Sequence, residues 1–188
     1  MSRVLVTGGT GTIGAEVVRR LLADPAYDVR VADRKDAPQW MREGCEIRTG
    51  DLREHEQAAS AVRGCDRVVH LACPSEDAAA EYSLITASAA LDSAILRAAI
   101  DQRVQRFLYV SCARCARESK QTGVAAADQA RPSDGSALLP ARDFAKLLGE
   151  RLCQAAQTEH GLPFAICRLS LSREHVGQAA EEILAALP

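Results

Sequence analysis

Gly8, Gly11 and Gly14 stand between an apolar run, Val4-Leu5-Val6-Thr7, and a segment with apolar residues at Ile13, Val17, Val18, Leu21 and Leu22. The run reads as a strand and the segment as an amphipathic helix, so the glycines make the turn between them. Such a turn has a chemical use. Glycine lets the backbone approach a ligand closely, and the open N–H groups and positive dipole end of the next helix suit an anion such as a pyrophosphate. Thr12 and Ile13, which open that helix, join the glycines as candidate binding residues. About twenty residues further on, Asp33 ends the run Asp28-Val29-Arg30-Val31-Ala32, where a carboxylate accepts from adenosine ribose hydroxyls and repels a 2′-phosphate. That favours NAD. The adjoining Arg34 and Lys35 pull toward NADP, since a guanidinium stacks on adenine or pairs with phosphate, and a merely solvated charge cluster also explains the three.

Two further groups carry chemistry. Cys112-Ala113-Arg114-Cys115 is a C-x-x-C, but a redox pair of that type opens a helix, whereas this one leads into a polar loop, and no second C-x-x-C is present for zinc. His70 closes an apolar run without a second His or carboxylate at metal spacing. It reads as a packed strand-end residue, and no metal site is expected.

The elements that must position these residues alternate along the chain. Strands are predicted at 28–33, 45–49 (half-buried, alternating), 66–72, 104–111 and 164–169, with helices over 38–44, 53–63 (capped by Asp51) and 76–103. A loop at 117–139 is long enough to suspect function. From Pro140 a helix puts Phe144, Leu147, Leu148 and Leu152 on one face and leaves through Gly161-Leu162-Pro163, and a closing helix carries Val176, Ala179, Ala180, Ile183, Leu184 and Leu187. Six strands alternating with helices predict an α/β fold: one Rossmann-type domain over 1–188, a doubly wound parallel sheet with ligands at the carboxyl ends of its strands.

Composition narrows the partners. A net charge of −2 over 188 residues gives no field that would gather nucleic acid or an anionic membrane. The N-terminus runs directly into a strand with no leader, and no apolar run approaches a membrane span, so a cytoplasmic protein with a small-molecule ligand is expected. The seven cysteines, odd in number and scattered, suit reduced thiols in a core of small residues.

Thr7-Gly8-x-x-Gly11-x-x-Gly14 resembles the TGxxGxxG turn of the short-chain dehydrogenase/reductase superfamily. Val6 to Gly14 is most similar to its extended branch, the NAD-dependent epimerase/dehydratase family; His70-Leu71-Ala72 and Arg106-Phe107-Leu108-Tyr109-Val110-Ser111 match further family patterns. The helix over 76–103 and the closing segment carry a fainter likeness to uronate-dehydrogenase-type members. The resemblance implies NAD or NADP as cofactor. It would set Gly8, Gly11, Thr12, Ile13 and Gly14 at the diphosphate, Asp33 and Arg34 at the adenosine, and Asp51 and Leu52 along the adenine. Leu71, Ala72 and Cys73 would lie on the nicotinamide side, with Lys146 at that ribose.

Departures from the pattern concern catalysis. The family's catalytic Ser falls on Cys112, beside Ser111, and its helix Asn on Ser88. The Tyr of Tyr-x-x-x-Lys falls on Arg142, although Lys146 and Glu150 match, and the only tyrosines are Tyr27, Tyr82 and Tyr109. A guanidinium donates hydrogen bonds but does not exchange protons near neutrality, so the usual proton carrier is missing. Arg168 to His175 passes almost directly into the last helix, where the family inserts its substrate lobe, so the lobe looks deleted. Three readings follow. One is an atypical enzyme acting on a small sugar-like or secondary-metabolite substrate with Cys112, Ser111, Arg142 and Lys146, two cations lowering the thiol's pKa. The others are a silent nucleotide-binding or sensor module, and a non-redox isomerase, cyclase or lyase in which Arg142 clamps a carboxylate. A homo-dimer through the helices near 82–102 and 140–160 is also implied by the resemblance.

Overall fold

Alternating burial along the strands sets the architecture. In β1 (Ser2–Thr7), Val4 and Val6 face one core and Leu5 the other, the period of two that a strand buried on both faces imposes. β1 lies between β2 (Tyr27–Asp33) and β4 (Arg67–His70). β3 (Glu46–Thr49) extends the sheet beyond β2; β5 (Arg106–Cys112) and β6 (Phe164–Leu169) extend it beyond β4. The order is β3-β2-β1-β4-β5-β6, parallel throughout. This is a computed structural model, and it describes residues 1–74, 81–112, 140–169 and 175–187.

Helices cover both faces. α1 (Thr12–Leu22), α2 (Gln39–Gly44) and α6 (Val176–Ala185) bury Val17, Val18, Leu21, Met41, Ala180 and Ile183 against Val4, Val6, Val31 and Leu108. On the other face α3 (His55–Val62), α4 (Glu81–Asp101) and α5 (Ala141–His160) bury Ala58, Val62, Leu91, Ile95, Cys153 and Ala156 against Leu5, Val68 and Phe107. The result is the Rossmann-type doubly wound sheet. Its strand order reverses between β1 and β4, so the ends of those strands flank the crevice where such sheets take ligands.

Several expectations change. Leu22 is 36% exposed, because α1 turns only Gly14, Val17, Val18 and Leu21 fully inward. β3 is an edge strand with Arg48 and Thr49 both exposed, so it does not alternate. α3 starts at His55 without a side-chain cap, and Asp51 instead accepts from the Arg53 N–H, a local turn. The largest revision concerns α5. Its buried face is Asp143, Ala145, Lys146, Gly149, Glu150, Cys153 and Ala156, while Phe144 is 40% exposed and Leu147, Leu148 and Leu152 are half-buried. The face pressed on the sheet and α4 has room for small residues and polar groups with partners; the leucines fall at its margins. The 117–139 loop and Cys115 lie outside the described residues.

α4 also corrects the expectation about membrane-span length. Its 21 residues are long and apolar enough by length and composition to cross a membrane. Here Leu84, Leu91, Asp92, Ile95, Leu96 and Ala99 are buried inside the domain, against α3, α5 and the sheet. Ile95 is fully buried. Ile95→Ala should therefore cost about 3 kcal/mol of stability, the usual price of a buried aliphatic truncation. Urea unfolding followed by circular dichroism measures it, and a change under about 1 kcal/mol would mean that α4 is not a core helix.

Candidate functional site

The glycine turn is shaped by contacts that leave no space for side chains. Gly8 has φ +70°, and a Cβ there would lie 2.8 Å from the Ala72 backbone; a Cβ on Gly14 would lie 2.3 Å from the Gly8 carbonyl oxygen. The Gly8 N–H donates to the Ala32 carbonyl (2.9 Å) and the Gly11 N–H to the Gly8 carbonyl (3.1 Å), folding the turn back over the ends of β1 and β2. Asp33 fastens it from β2, accepting from the Thr10 N–H (3.1 Å) and hydroxyl (2.6 Å). α1 then begins with no side-chain oxygen capping it and no acid in its first turn. Its leading residues, Thr12, Ile13 and Gly14, whose N–H groups a helix leaves without an internal partner, line a cleft.

Two adjoining clefts open over this turn. The first, about 240 Å3, is lined by Asp33, Arg34, Asp51, Leu52 and Ala72, together with Thr10, Lys35, Arg53 and Leu91. The second, about 320 Å3, is lined by Thr12, Ile13, Gly14, Ser111 and Lys146, with Val110 and Val176. Gly8, Gly11, Leu71, Cys73 and Arg142 border both. On the rim the hydrogen-bonded Arg53 guanidinium holds the Asp51 carboxyl down at about 2.

The expected catalytic and cofactor-binding residues all line one of these clefts except Cys112. Its thiol is buried and donates to the Asp143 Oδ1 at 3.3 Å. Asp143, on α5, is thus one partner of the thiol. Cys45, Cys65 and Cys167 are pushed up to about 11 by burial, and Cys153 further, so these thiols are inert core residues.

A polar network missed in the sequence lies below the clefts. His70 is fully buried, with Nδ1 2.7 Å from the Thr7 hydroxyl and Nε2 2.9 Å from Asp92 Oδ1. The Tyr109 hydroxyl donates to Asp92 Oδ2 at 2.8 Å, and the Ala72 N–H donates to the Thr7 oxygen at 3.2 Å. A carboxylate only accepts, so Nε2 carries a proton toward Asp92, and a Thr7 proton given to Nδ1 leaves every group satisfied. Burial, then the Asp92 charge, drives the Tyr109 pKa far above its ordinary range, so this phenol does not replace the missing tyrosine. The Lys146 ammonium sits 4.9 Å from the centre of the Tyr109 ring. A Cβ on Gly149 would lie 2.0 Å from the Tyr109 oxygen, so α5 can seat Lys146 here only with glycine at that position. Asp92, a lone acid in an apolar helical stretch, was the sequence signal for a buried partner; Val110 and Val176 carried none.

A parallel sheet in this order, a glycine turn opening α1 and an acid at the end of β2 define an extended short-chain dehydrogenase/reductase-type protein. The chain belongs to the NAD dependent epimerase/dehydratase family, whose model matches residues 4–176. It is 32% identical over 124 residues to vestitone reductase of Medicago sativa, covering 58% of this chain and 37% of that protein. A short-chain dehydrogenase/reductase superfamily protein from Agrobacterium tumefaciens, solved with bound NAD, superposes with a TM-score of 0.69 at 25% identity over 88% of this chain and 48% of that one. A mutated uronate dehydrogenase superposes with a TM-score of 0.67 at 22% identity, over 89% of this chain and 58% of that one, and shares the fold. The chain thus spans between 37% and 58% of the length of these proteins.

The network's coupling is measurable. Tyr109→Phe should cost about 2 kcal/mol and Asp92→Ala about 3, since each strands buried polar groups. The double variant should fall short of their sum by about 1 kcal/mol or more. Urea titration of the four proteins gives the cycle, and strict additivity would show that Tyr109 and Asp92 do not interact.

Proposed function

We propose that this chain binds NAD across both clefts and acts on a small substrate, sugar-like or a secondary metabolite, at Ser111, Arg142 and Lys146, without a tyrosine proton carrier. One observation carries the reading. Gly8, Gly11 and Arg142 border both clefts, so a single extended ligand can run from Asp33 past the start of α1 to Lys146. The residues fit a dinucleotide: the turn has no room for a Cβ at Gly8 or Gly14, and the first turn of α1 offers amides to an anion. Asp33 is held by Thr10 and does not swing away from a 2′-phosphate, while Arg53 is engaged by Asp51. That supports NAD over NADP despite Arg34 and Lys35.

A nicotinamide bound there would supply a hydride donor or acceptor. Lys146, steadied over the Tyr109 ring, would hold the adjoining ribose, and Arg142 would donate to a substrate oxygen while keeping its own proton. Cys112 and Asp143 act as a positioning pair behind this wall. A second reading, a silent nucleotide-binding module, is favoured by the closure of His70 and Tyr109 inside the network, which leaves no histidine or tyrosine among the described lining residues.

Calorimetric titration with NAD, NADH, NADP and NADPH tests the reading. The expected result is micromolar binding of NAD and NADH, with the phosphorylated pair about tenfold weaker, roughly 1.4 kcal/mol. Asp33→Ser should shrink that discrimination to under about threefold, because it removes the charge that repels the 2′-phosphate. Absence of binding for all four nucleotides would overturn the proposal. Binding with no turnover of any sugar or alcohol tested would move the assignment to the silent module.

A further inference from the structure

We infer that Cys73 is a modification site. Its thiol exchanges with a peptide disulfide bearing amides and carboxylates, and the group taken up seats in the second cleft, where it and a nucleotide exclude each other; that exclusion rests on the reading of the same clefts as a nucleotide site. Among the described residues Cys73 is the one cysteine on the walls of these clefts, and it borders both. It also borders a narrow void beneath them, with Ser88, Asp92, Tyr109, Ala145 and Lys146. The residue is half-buried and its thiol is free. The other described thiols do not compete. Cys65, Cys153 and Cys167 are buried, Cys112 is buried against Asp143, and burial pushes Cys45 up to about 11.

Two buried hydroxyls beside this thiol stand without partners. The Ser111 Oγ, on a residue 1% exposed, has no hydrogen-bond partner among the described residues and borders the second cleft with Cys73. The Ser88 Oγ, on a residue 5% exposed, is likewise unpartnered on the void below. A buried hydroxyl left unpaired is costly, and an acceptor on a ligand relieves it. Lys146 lines the second cleft and the void, its ammonium 4.9 Å from the centre of the Tyr109 ring. Asp92, the acid on the void, has its two oxygens taken by His70 and Tyr109. Amide and carboxylate oxygens carried on Cys73 would therefore meet donors, the Ser111 hydroxyl and the Lys146 ammonium. The second cleft, about 320 Å3, is of small-ligand size, and Ile13, Leu71, Val110 and Val176 give it apolar wall.

The exchange balances without a further oxidant. The Cys73 sulfur, as thiolate, attacks one sulfur of the disulfide; a new S–S bond forms as the original one breaks, and the departing thiolate takes up the proton that Cys73 released. Cys73 is oxidised and one half of the disulfide is reduced. An excess of free thiol runs the step backwards. A group on this sulfur stands where the two clefts meet, since Gly8, Gly11, Leu71 and Arg142 border both with Cys73. It closes the path that a dinucleotide takes from Asp33 to Lys146, and a bound dinucleotide covers the sulfur in turn.

Glutathione disulfide is the probe, with hydroxyethyl disulfide as the control that lacks amides and carboxylates; mass-spectrometric peptide mapping reads each cysteine, and rates are taken relative to free cysteine. Cys73 should carry the glutathionyl group and favour glutathione disulfide by about threefold or more, a preference that Ser111→Ala removes. Saturating NADH should slow the capping about tenfold or more, and the capped protein should bind NADH about tenfold or more weakly by calorimetry, with dithiothreitol restoring it. Cys73→Ala should show one NADH affinity before and after the disulfide treatment. No adduct on Cys73, a preference that is absent or survives Ser111→Ala, undiminished NADH binding by the capped protein, or a loss of NADH binding that persists in Cys73→Ala would each overturn the inference. Failure of the untreated protein to bind NADH would remove the proposed function, while Ser111-dependent capping of Cys73 would still uphold the modification site, so the two failures are distinct.

Discussion

The Gly8 carbonyl oxygen occupies the space that a side chain on Gly14 would need, and the rest of the site depends on that approach. Because the turn is so tight, α1 starts immediately above the ends of β1 and β4, with its amide end toward the crevice. Asp33 is fixed by the same turn through Thr10, so the end of β2 and the start of α1 are set relative to each other by two hydrogen bonds and a backbone contact. Anything larger at Gly8 would push into Ala72, at the end of β4.

A second constraint operates beneath the sheet's carboxyl edge. Thr7, His70, Asp92 and Tyr109 link β1, β4, α4 and β5 in one chain of hydrogen bonds, each group satisfied by the next. In a low-dielectric interior such a network specifies position strongly because any member left unpaired is costly. It fixes the Tyr109 ring on which Lys146 rests, and the absence of a Cβ at Gly149 lets α5 come close enough for that contact. The placement of the ammonium at the cleft is therefore built from residues that do not touch the cleft's contents.

What was legible in the sequence follows from where the information is local. The turn, the strands and the amphipathic α1 and α6 each announce themselves by spacing, and Asp33 by its distance from the glycines. The leucines of α5 repeat at helical spacing, whereas its packed face is chosen by neighbours that spacing does not show: Gly149 by Tyr109, Glu150 by Arg168, Asp143 by Cys112. The hydrogen bond of Cys112 to Asp143 is not legible in the sequence, since the carboxylate comes from a helix about thirty residues away. The partnership of His70 with Asp92 was hidden for the same reason, although an aspartate among apolar helical residues hints that a buried donor must exist.

The central claim is that an extended dinucleotide lies across the two clefts, its diphosphate at the start of α1. A crystal structure of the protein with NADH tests it most directly. The account predicts diphosphate oxygens within hydrogen-bond distance of the Thr12 and Ile13 amides, the adenosine ribose beside Asp33, and the nicotinamide ribose beside Lys146. A nucleotide seated elsewhere, or lying in the cleft with its diphosphate away from α1, would contradict it.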